Sequence, residues 1–350
     1  MILLWGLWED TPLANVHSAL IELGMPVGFV NQRAILQSEI QLSVEATSEG
    51  FVQIGDQRID LGSVTAVYLR PYDSWRIGPV ARAGQDSPEY RHALSFDDTL
   101  WLWAELTSAR VVNRPSAMAS NNSKPFQSVQ IRSHGFEVPE TLITTDPEAV
   151  REFWERHGDV IYKSVSGVRS IVSRLRSEDN GRLEDVAWCP TQFQQYVPGT
   201  DYRVHVVGDE VFCSKVESEA DDYRYGSRQG ATVSIERATL PEHWADRCRE
   251  LTAAMSFFVA GIDLRLTPDG AWYCFEVNPS PAFTYYDRHD QGIGRAVAGL
   301  LAAAPGISEE LSQTGLMHTS ESLLAPSKST MERRYGRVRR VSKGPHGRLQ

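Results

Sequence analysis

The chain has 350 residues, 41% hydrophobic and 23% charged, long enough to bury cores in two or three packed units. Its formal charge of −10 is uneven: from Lys328 onward eight Lys and Arg face Glu332 alone, a local +7 that leaves −17 on the residues before it. An acidic body argues against a nucleic-acid enzyme, and no apolar run reaches the roughly 20 residues a membrane helix needs.

The opening Met1 to Trp8 is apolar, but it lacks a basic start and meets Glu9-Asp10 too early for a signal peptide. It is expected to be a buried first strand. Thr11-Pro12 then supplies an N-cap and an N1 proline, Val16, Leu20 and Leu23 recur at helical spacing, and Gly24 stops the helix. Strands at 26–30 and 64–69 complete a doubly wound α/β pattern over residues 1–112. The G-x-G-x-x-G of dinucleotide-binding folds does not follow the first strand, which weighs against a dehydrogenase.

A second unit, 113–198, is expected to hold a helix over 124–134 ending at Gly135 and a strand at 141–144. In it Asp146-Pro147 caps a helix that ends at Gly158, and 159–165 forms a strand followed by small residues. A third unit, 199–305, reads as hairpins around a helix at 242–257, closed by a helix at 293–303. The stretch 306–350 is polar and then basic, and reads as a disordered surface arm or a cloning remnant. The cysteines Cys189, Cys213, Cys248 and Cys274 contain no C-x-x-C pair, so neither a zinc site nor a secreted disulfide framework is expected. A cytoplasmic protein follows, with all but Cys274 expected to be small buried residues.

The most informative stretch runs from Gly261 to Pro279, where two alternating runs flank Asp269-Gly270. A two-residue hairpin loop there would set Pro268 against Ala271 and, counting outward, Asp263 against Glu276. Asn278 then shares the face of Glu276, while Ile262, Leu264, Leu266, Tyr273, Phe275 and Val277 form the apolar side. The same count puts Arg265 and Cys274 on the polar side, with nothing nearby to make Cys274 a nucleophile. Two carboxylates about 5 Å apart repel unless a cation intervenes. Carboxylate and amide oxygens suit Mg²⁺, with Mn²⁺ as an alternative. A solvent-facing hairpin side would also be polar, but that reading does not account for a face that is both acidic and amide-bearing.

These residues carry a resemblance. Glu276-Val277-Asn278-Pro279 after a strand bearing Asp263 resembles the metal signature of ATP-grasp enzymes, most closely the RimK-like branch that includes the peptide-cyclising graspetide synthetases. The likeness covers roughly residues 113–304 and, more loosely, the N-terminal unit. It implies an ATP-grasp fold: an N-terminal doubly wound α/β domain, a central lid subdomain and a C-terminal α+β subdomain. By the same likeness Asp263, Glu276 and Asn278 would hold Mg²⁺, and Lys124 and Lys163 would contact the ATP phosphates. Ser166, Gly167 and Arg169 would cover those phosphates. Gln192 to Arg203 resembles the family's hinge, with the backbone of Gln194, Gln195, Tyr196 and Val197 at the adenine edge and Asp201 near the ribose. On residue pattern alone that stretch is an edge strand and a turn. Asp222-Tyr223-Arg224-Tyr225 resembles a segment of the peptide-cyclising ligases in which Arg224 meets nucleotide or substrate.

Asp201, Arg203 and His205 alternate onto one strand face before Gly208-Asp209 turns the chain. Arg203, Arg265 and Lys215 are the candidates to stabilise a transferring phosphoryl group. Whether Lys215 joins the face of Arg203 depends on a two- or three-residue loop, and His205 is read as a spectator. The implied activity is ATP-dependent ligation. A carboxylate attacks the γ-phosphate, and an amine or hydroxyl then captures the acyl phosphate to give an amide or an ester. The substrate is a ribosomal precursor peptide or a small amino acid or dipeptide. The aromatic, basic run Tyr68 to Trp75 is a candidate acceptor lining or an ordinary strand exit. A phosphotransferase and a non-catalytic nucleotide-binding protein remain alternatives, and a homo-oligomer is left open.

Overall fold

Buried side chains on both faces mark the first strand: Ile2, Leu3, Leu4 and Trp5 are all fully enclosed, as a central parallel strand requires. In the computed structural model, which describes residues 1–44, 48–165, 172–218, 232–287 and 291–305, β1 (Ile2–Gly6) leads into α1 (Thr11–Glu22), β2 (Val27–Asn31) and a three-stranded antiparallel sheet. That small sheet comprises β3 (Ser38–Val44), β4 (Ser48–Ile54) and β5 (Gln57–Asp60). Next come β6 (Ala66–Arg70), α2 (Gly78–Ala83), α3 (Pro88–Leu106) and β7 (Arg110–Val112). The parallel sheet has order β2-β1-β6-β7, so the chain winds outward both ways from the β1–β6 junction. Asp10, not Thr11, caps α1: its carboxylate accepts from Leu13 N–H at 2.9 Å. Helix α3 and the small sheet cover one face of the parallel sheet with Val52, Ile59, Phe96, Leu100 and Trp103; Ala93, Phe96, Leu100 and Trp103 recur at helical spacing along α3.

The central unit follows as α4 (Pro115–Met118), α5 (Lys124–Ser133), β8 (Thr141–Thr144), α6 (Pro147–His157), β9 (Val160–Ser164), β10 (Ser173–Arg174) and β11 (Thr191–Gln195). Its antiparallel sheet has order β10-β9-β11-β8, so β11 is an interior strand, not an edge. The largest sheet has order β14-β13-β12-β15-β16. It is built from β12 (Thr200–Val207), β13 (Glu210–Ser218), β14 (Val233–Ala238), β15 (Val259–Leu266) and β16 (Trp272–Asn278), with α7 (Glu242–Ala254) between β14 and β15. Helices α5 and α7 pack on one face of it through Ile131, Cys248 and Leu251.

The last helix, α8 (Ile293–Ala302), joins a different core. Ile293, Val297, Ala298 and Leu301 pack with Leu13, Val16 and Leu20 of α1 and with Ile2 and Leu4 of β1. Residues Met1–Ile307 accordingly form one unit. Among the described residues no helix is long and apolar enough to cross a membrane.

Candidate active site

The β15–β16 hairpin sets the site. Its loop holds three residues, Pro268-Asp269-Gly270, closed by hydrogen bonds from Thr267 N–H to Ala271 O (2.9 Å) and from Gly270 N–H to Thr267 O (3.0 Å). Gly270 takes φ +90°, a conformation that side chains disfavour. The longer loop slips the register by one, so Leu266 faces Trp272 and Leu264 faces Cys274. A bulge at Phe275 then restores it, and Asp263 faces Glu276. The expected carboxylate pairing therefore stands, but the residues nearer the loop change sides. Trp272 and Cys274 enter the core, whereas Phe275 turns outward beneath Arg265, whose Cζ lies 5.2 Å from the ring. Cys274 is thus a core residue, its thiol pushed well above its usual value by burial. Burial likewise raises Cys213 and Cys248 to about 12, while Cys189, expected to be buried, is exposed.

On the site face β12 aligns Arg203 with Asp263 and Asp201 with Arg265. Arg203 donates to Asp263 at 2.5 Å and is only 6% exposed. Gly261 leaves room for it: a Cβ there would run into the Arg203 guanidinium and come within 2.7 Å of Pro281 Cβ. Nε–H of Arg203 reaches His205 Nε2 at 3.5 Å, and burial followed by the Arg203 charge holds His205 neutral, well below its ordinary pKa. From α5, Lys124 Nζ donates to Glu276 Oε2 at 3.2 Å. Asn278 Oδ1 accepts from Ser280 N–H at 2.9 Å, which leaves that oxygen a second lone pair. Asp263 and Glu276 therefore each face a cation of the chain itself. Asp263, Glu276 and Asn278 offer oxygens only, a set that fits a hard divalent cation. Among the described residues no cluster of three or more His, Cys, Asp or Glu side chains occurs, so water and phosphate oxygens would have to complete the shell.

Other expected residues fall elsewhere. The loop Gly208-Asp209 has two residues, so Lys215 faces Tyr202, on the sheet side opposite Arg203, and pairs with Glu217 at 2.6 Å. The register thus places Lys215 apart from Arg203, the other residue nominated with it for catalysis on that strand pair. Arg265, also expected in catalysis, is a brace. It grips both Asp201 oxygens at 2.7 and 2.9 Å and donates to Val197 O at 2.8 Å, tying the hinge to the sheet. Asp201, expected at the ribose, is the brace's other half. In the hinge, Gln195 and Tyr196 N–H donate to Glu140 O and Asp159 O, each at 2.9 Å, so these two amides do not face an adenine. Lys163 lies on β9 and donates to Gln194 Oε1 at 3.3 Å, and Gln194 in turn donates to Thr141 Oγ1. Ser166, Gly167, Arg169 and Arg224 lie outside the described residues.

Residue patterning misses three site supports. Asn113 is 1% exposed; its Nδ2 donates to Val259 O and Pro279 O, and its Oδ1 accepts from Phe258 and Val259 N–H. Gln127 is buried against Val277. Arg70 joins Asp10 at 2.6 Å to Ser280 Oγ at 3.0 Å and Pro281 O at 3.1 Å. Beside Arg70, at the β1–β6 junction, a cleft of about 420 Å³ is walled by Leu7, Tyr72, Trp101 and Met118 and reaches Ser280. Part of the Tyr68 to Trp75 run therefore lines a real cleft, at the place where open α/β sheets take ligands.

A carboxylate hairpin backed by lysine and arginine, on an antiparallel sheet beside a second lid-like sheet, defines the class. The RimK-like ATP-grasp domain profile matches residues 122–302, and the chain belongs to that family. Human N-acetylaspartylglutamate synthase A is 25% identical over 242 residues, 66% of this chain and 61% of the human protein. Glutathione synthetase of Shigella flexneri is 29% identical over 46% of this chain and 48% of its own length. The chain thus spans about three fifths or less of these two curated relatives. The ATP-grasp ligase PsnB, solved with a phosphomimetic variant of its minimal precursor, Mg and ADP, superposes with TM-score 0.72 at 28% identity, over 87% of this chain and 98% of PsnB. A Chryseobacterium gregarium RiPP-associated ATP-grasp ligase, solved with ADP and leader and core peptides, shares the fold (TM-score 0.75, 22% identity, 87% and 97% covered).

Proposed function

We propose that this protein is an ATP-dependent ligase that activates a carboxylate as an acyl phosphate and joins it to an amine or hydroxyl, releasing ADP and phosphate. The observation that carries this reading is the single hairpin face on which Asp263 and Glu276 stand opposed, each already engaged by a cation, Arg203 and Lys124. Asp263, Glu276 and Asn278 would hold Mg²⁺, which when bound would offset the charge on the phosphates. Lys124 and Arg203 have a second task. Released from their carboxylates, they can turn to phosphate oxygens, and Arg203 is held in line for the transferring group by His205 and Gly261. Neutral His205 accepts from Arg203 and takes no proton. Arg265 and Asp201 fix the hinge against the sheet, so that the two gripping units approach in one geometry.

A precursor peptide is the favoured substrate, because the likeness to PsnB spans 87% of the chain. A small amino acid or dipeptide is the second reading, favoured by the match to human N-acetylaspartylglutamate synthase A. A cytoplasmic setting fits either. The test is incubation with Mg-ATP, a peptide and amino-acid pool, and hydroxylamine. ADP together with a hydroxamate is expected; AMP would mean adenylation and would overturn the mechanism.

A further inference from the structure

Metal-holding strands at a sheet edge face a specific difficulty, because an edge strand has a row of backbone groups with no neighbouring strand to bind them. Strand β16 is such an edge: it is laddered to β15, and on its outer side the Glu137 backbone bridges Trp272 O and Cys274 N–H near the loop but does not reach Val277. Val277 lies between Glu276 and Asn278, is fully buried, and directs its N–H and C=O away from β15. Both are met by one side chain. Gln127 Nε2 donates to Val277 O at 2.7 Å, and its Oε1 accepts from Val277 N–H at 2.9 Å. The amide thereby replaces the missing strand for one residue. Gln127 is itself 2% exposed and stands three positions after Lys124 on α5, the helix whose Lys124 meets Glu276. Two residues further on, the Asn113 amide takes Pro279 O at 2.6 Å.

We propose that Gln127 is a positioning residue: its amide locks the backbone between Glu276 and Asn278, setting where their oxygens stand relative to Lys124. The assignment rests on the ligase reading above. Metal sites need ligands held within about half an ångström, and a frayed edge strand does not supply that. No contact between Gln127 and nucleotide or metal is involved. Its effect passes through Val277 alone.

The test is Mn²⁺ binding at saturating ADP, followed by electron paramagnetic resonance, in the full chain and three variants. Gln127→Met, which keeps the volume and loses both bonds, is expected to weaken Mn²⁺ about tenfold. Val129→Ala, on the exposed side of the same helix, is expected to leave it unchanged. Gln127→Glu separates positioning from bulk stability. As a buried acid it should stay protonated well above the ordinary carboxyl range, and its O–H then donates to Val277 O as the amide does. Its Mn²⁺ affinity relative to the wild type at the same pH should therefore recover as pH falls. Wild-type affinity in Gln127→Met overturns the proposal, as does a Gln127→Glu ratio that stays low at every pH; a ratio near one throughout is the protonated acid keeping both bonds and supports it. The second comparison decides alone if Gln127→Met does not fold. A wild-type protein that binds no Mn²⁺ with ADP instead brings down the ligase reading, and this assignment with it.

Discussion

One face of the five-stranded sheet carries Val204, Ile262, Leu264, Cys274 and Val277 into a dry core under α5 and α7. The other, on the same strands and one residue out of phase, carries Asp201, Arg203, Asp263, Arg265 and Glu276 in opposed pairs. On the first face identity is loose, since apolar volume is what packing requires. On the second each charge is matched to a particular partner, and two matched sets do different work. Arg265 with Asp201 is tied to a backbone carbonyl and braces the hinge. Arg203 with Asp263, and Lys124 with Glu276, end on side chains that a nucleotide could separate. Carboxylates of this sheet that face the site are met by cations, whereas Asp97, buried in the N-terminal unit, is held only by the Ser74 N–H and hydroxyl among described groups.

The contrast can be broken most forcefully at Glu276. Glu276→Ala should cut hydroxamate formation by about 10³-fold, as expected when a group stabilising transition-state charge is lost, with the fold intact by circular dichroism. Near-normal turnover would remove the metal assignment. Gly261→Ala should come next. The added methyl forces Arg203 or Pro281 to move, costing about 2 kcal/mol in a thermal melt and lowering turnover far more than any change in substrate KM. A smaller effect concerns Asp97, whose carboxyl is pushed up to about 6, chiefly by burial. A raised folded pKa means that its contribution to stability is full below the unfolded value near 3.8 and is lost as pH rises through about 6. Urea melts should therefore show a decline of about 2 kcal/mol across pH 4 to 6.5, absent in Asp97→Asn. The smallest is Cys274→Ala: about 1 kcal/mol of stability lost from the core and no change in turnover. Unchanged stability would return Cys274 to the site face.

Much of this architecture is legible in the residues, for reasons that differ by element. The helix cap at Asp146 is local chemistry and can be read directly, and so can the turn at Gly208-Asp209, though its two-residue length is fixed only by the register of β12 and β13. The pairing of Asp263 with Glu276 is legible through two errors that cancel, a loop one residue longer and a bulge that compensates. Neither leaves a mark in the alternation of apolar residues. Helix α5 misleads more openly, since Phe126 and Val129 are exposed while Gln127 is buried. Apolar spacing cannot identify an amide whose purpose is to bind a strand 150 residues away. Arg265 and Lys215 show the same limit for charges: type and spacing nominate both, but register and partner decide what they do.

The packing of α8 on α1 and β1 has a consequence for synthesis. The parallel sheet is made well before α8, yet one of its faces is covered by Ile293, Val297 and Leu301, side chains that leave the ribosome some 10–40 s later at about 5–20 residues per second. During that interval Leu4, Leu13 and Leu20 pack on one another and on Tyr68 but lack the cover that α8 supplies. A nascent chain stopped just before Ile293 should bind a hydrophobic dye that the finished protein excludes. The parallel sheet is therefore completed long after its own strands emerge, and a stop codon just before Ile293 would damage structure laid down about 180 residues earlier.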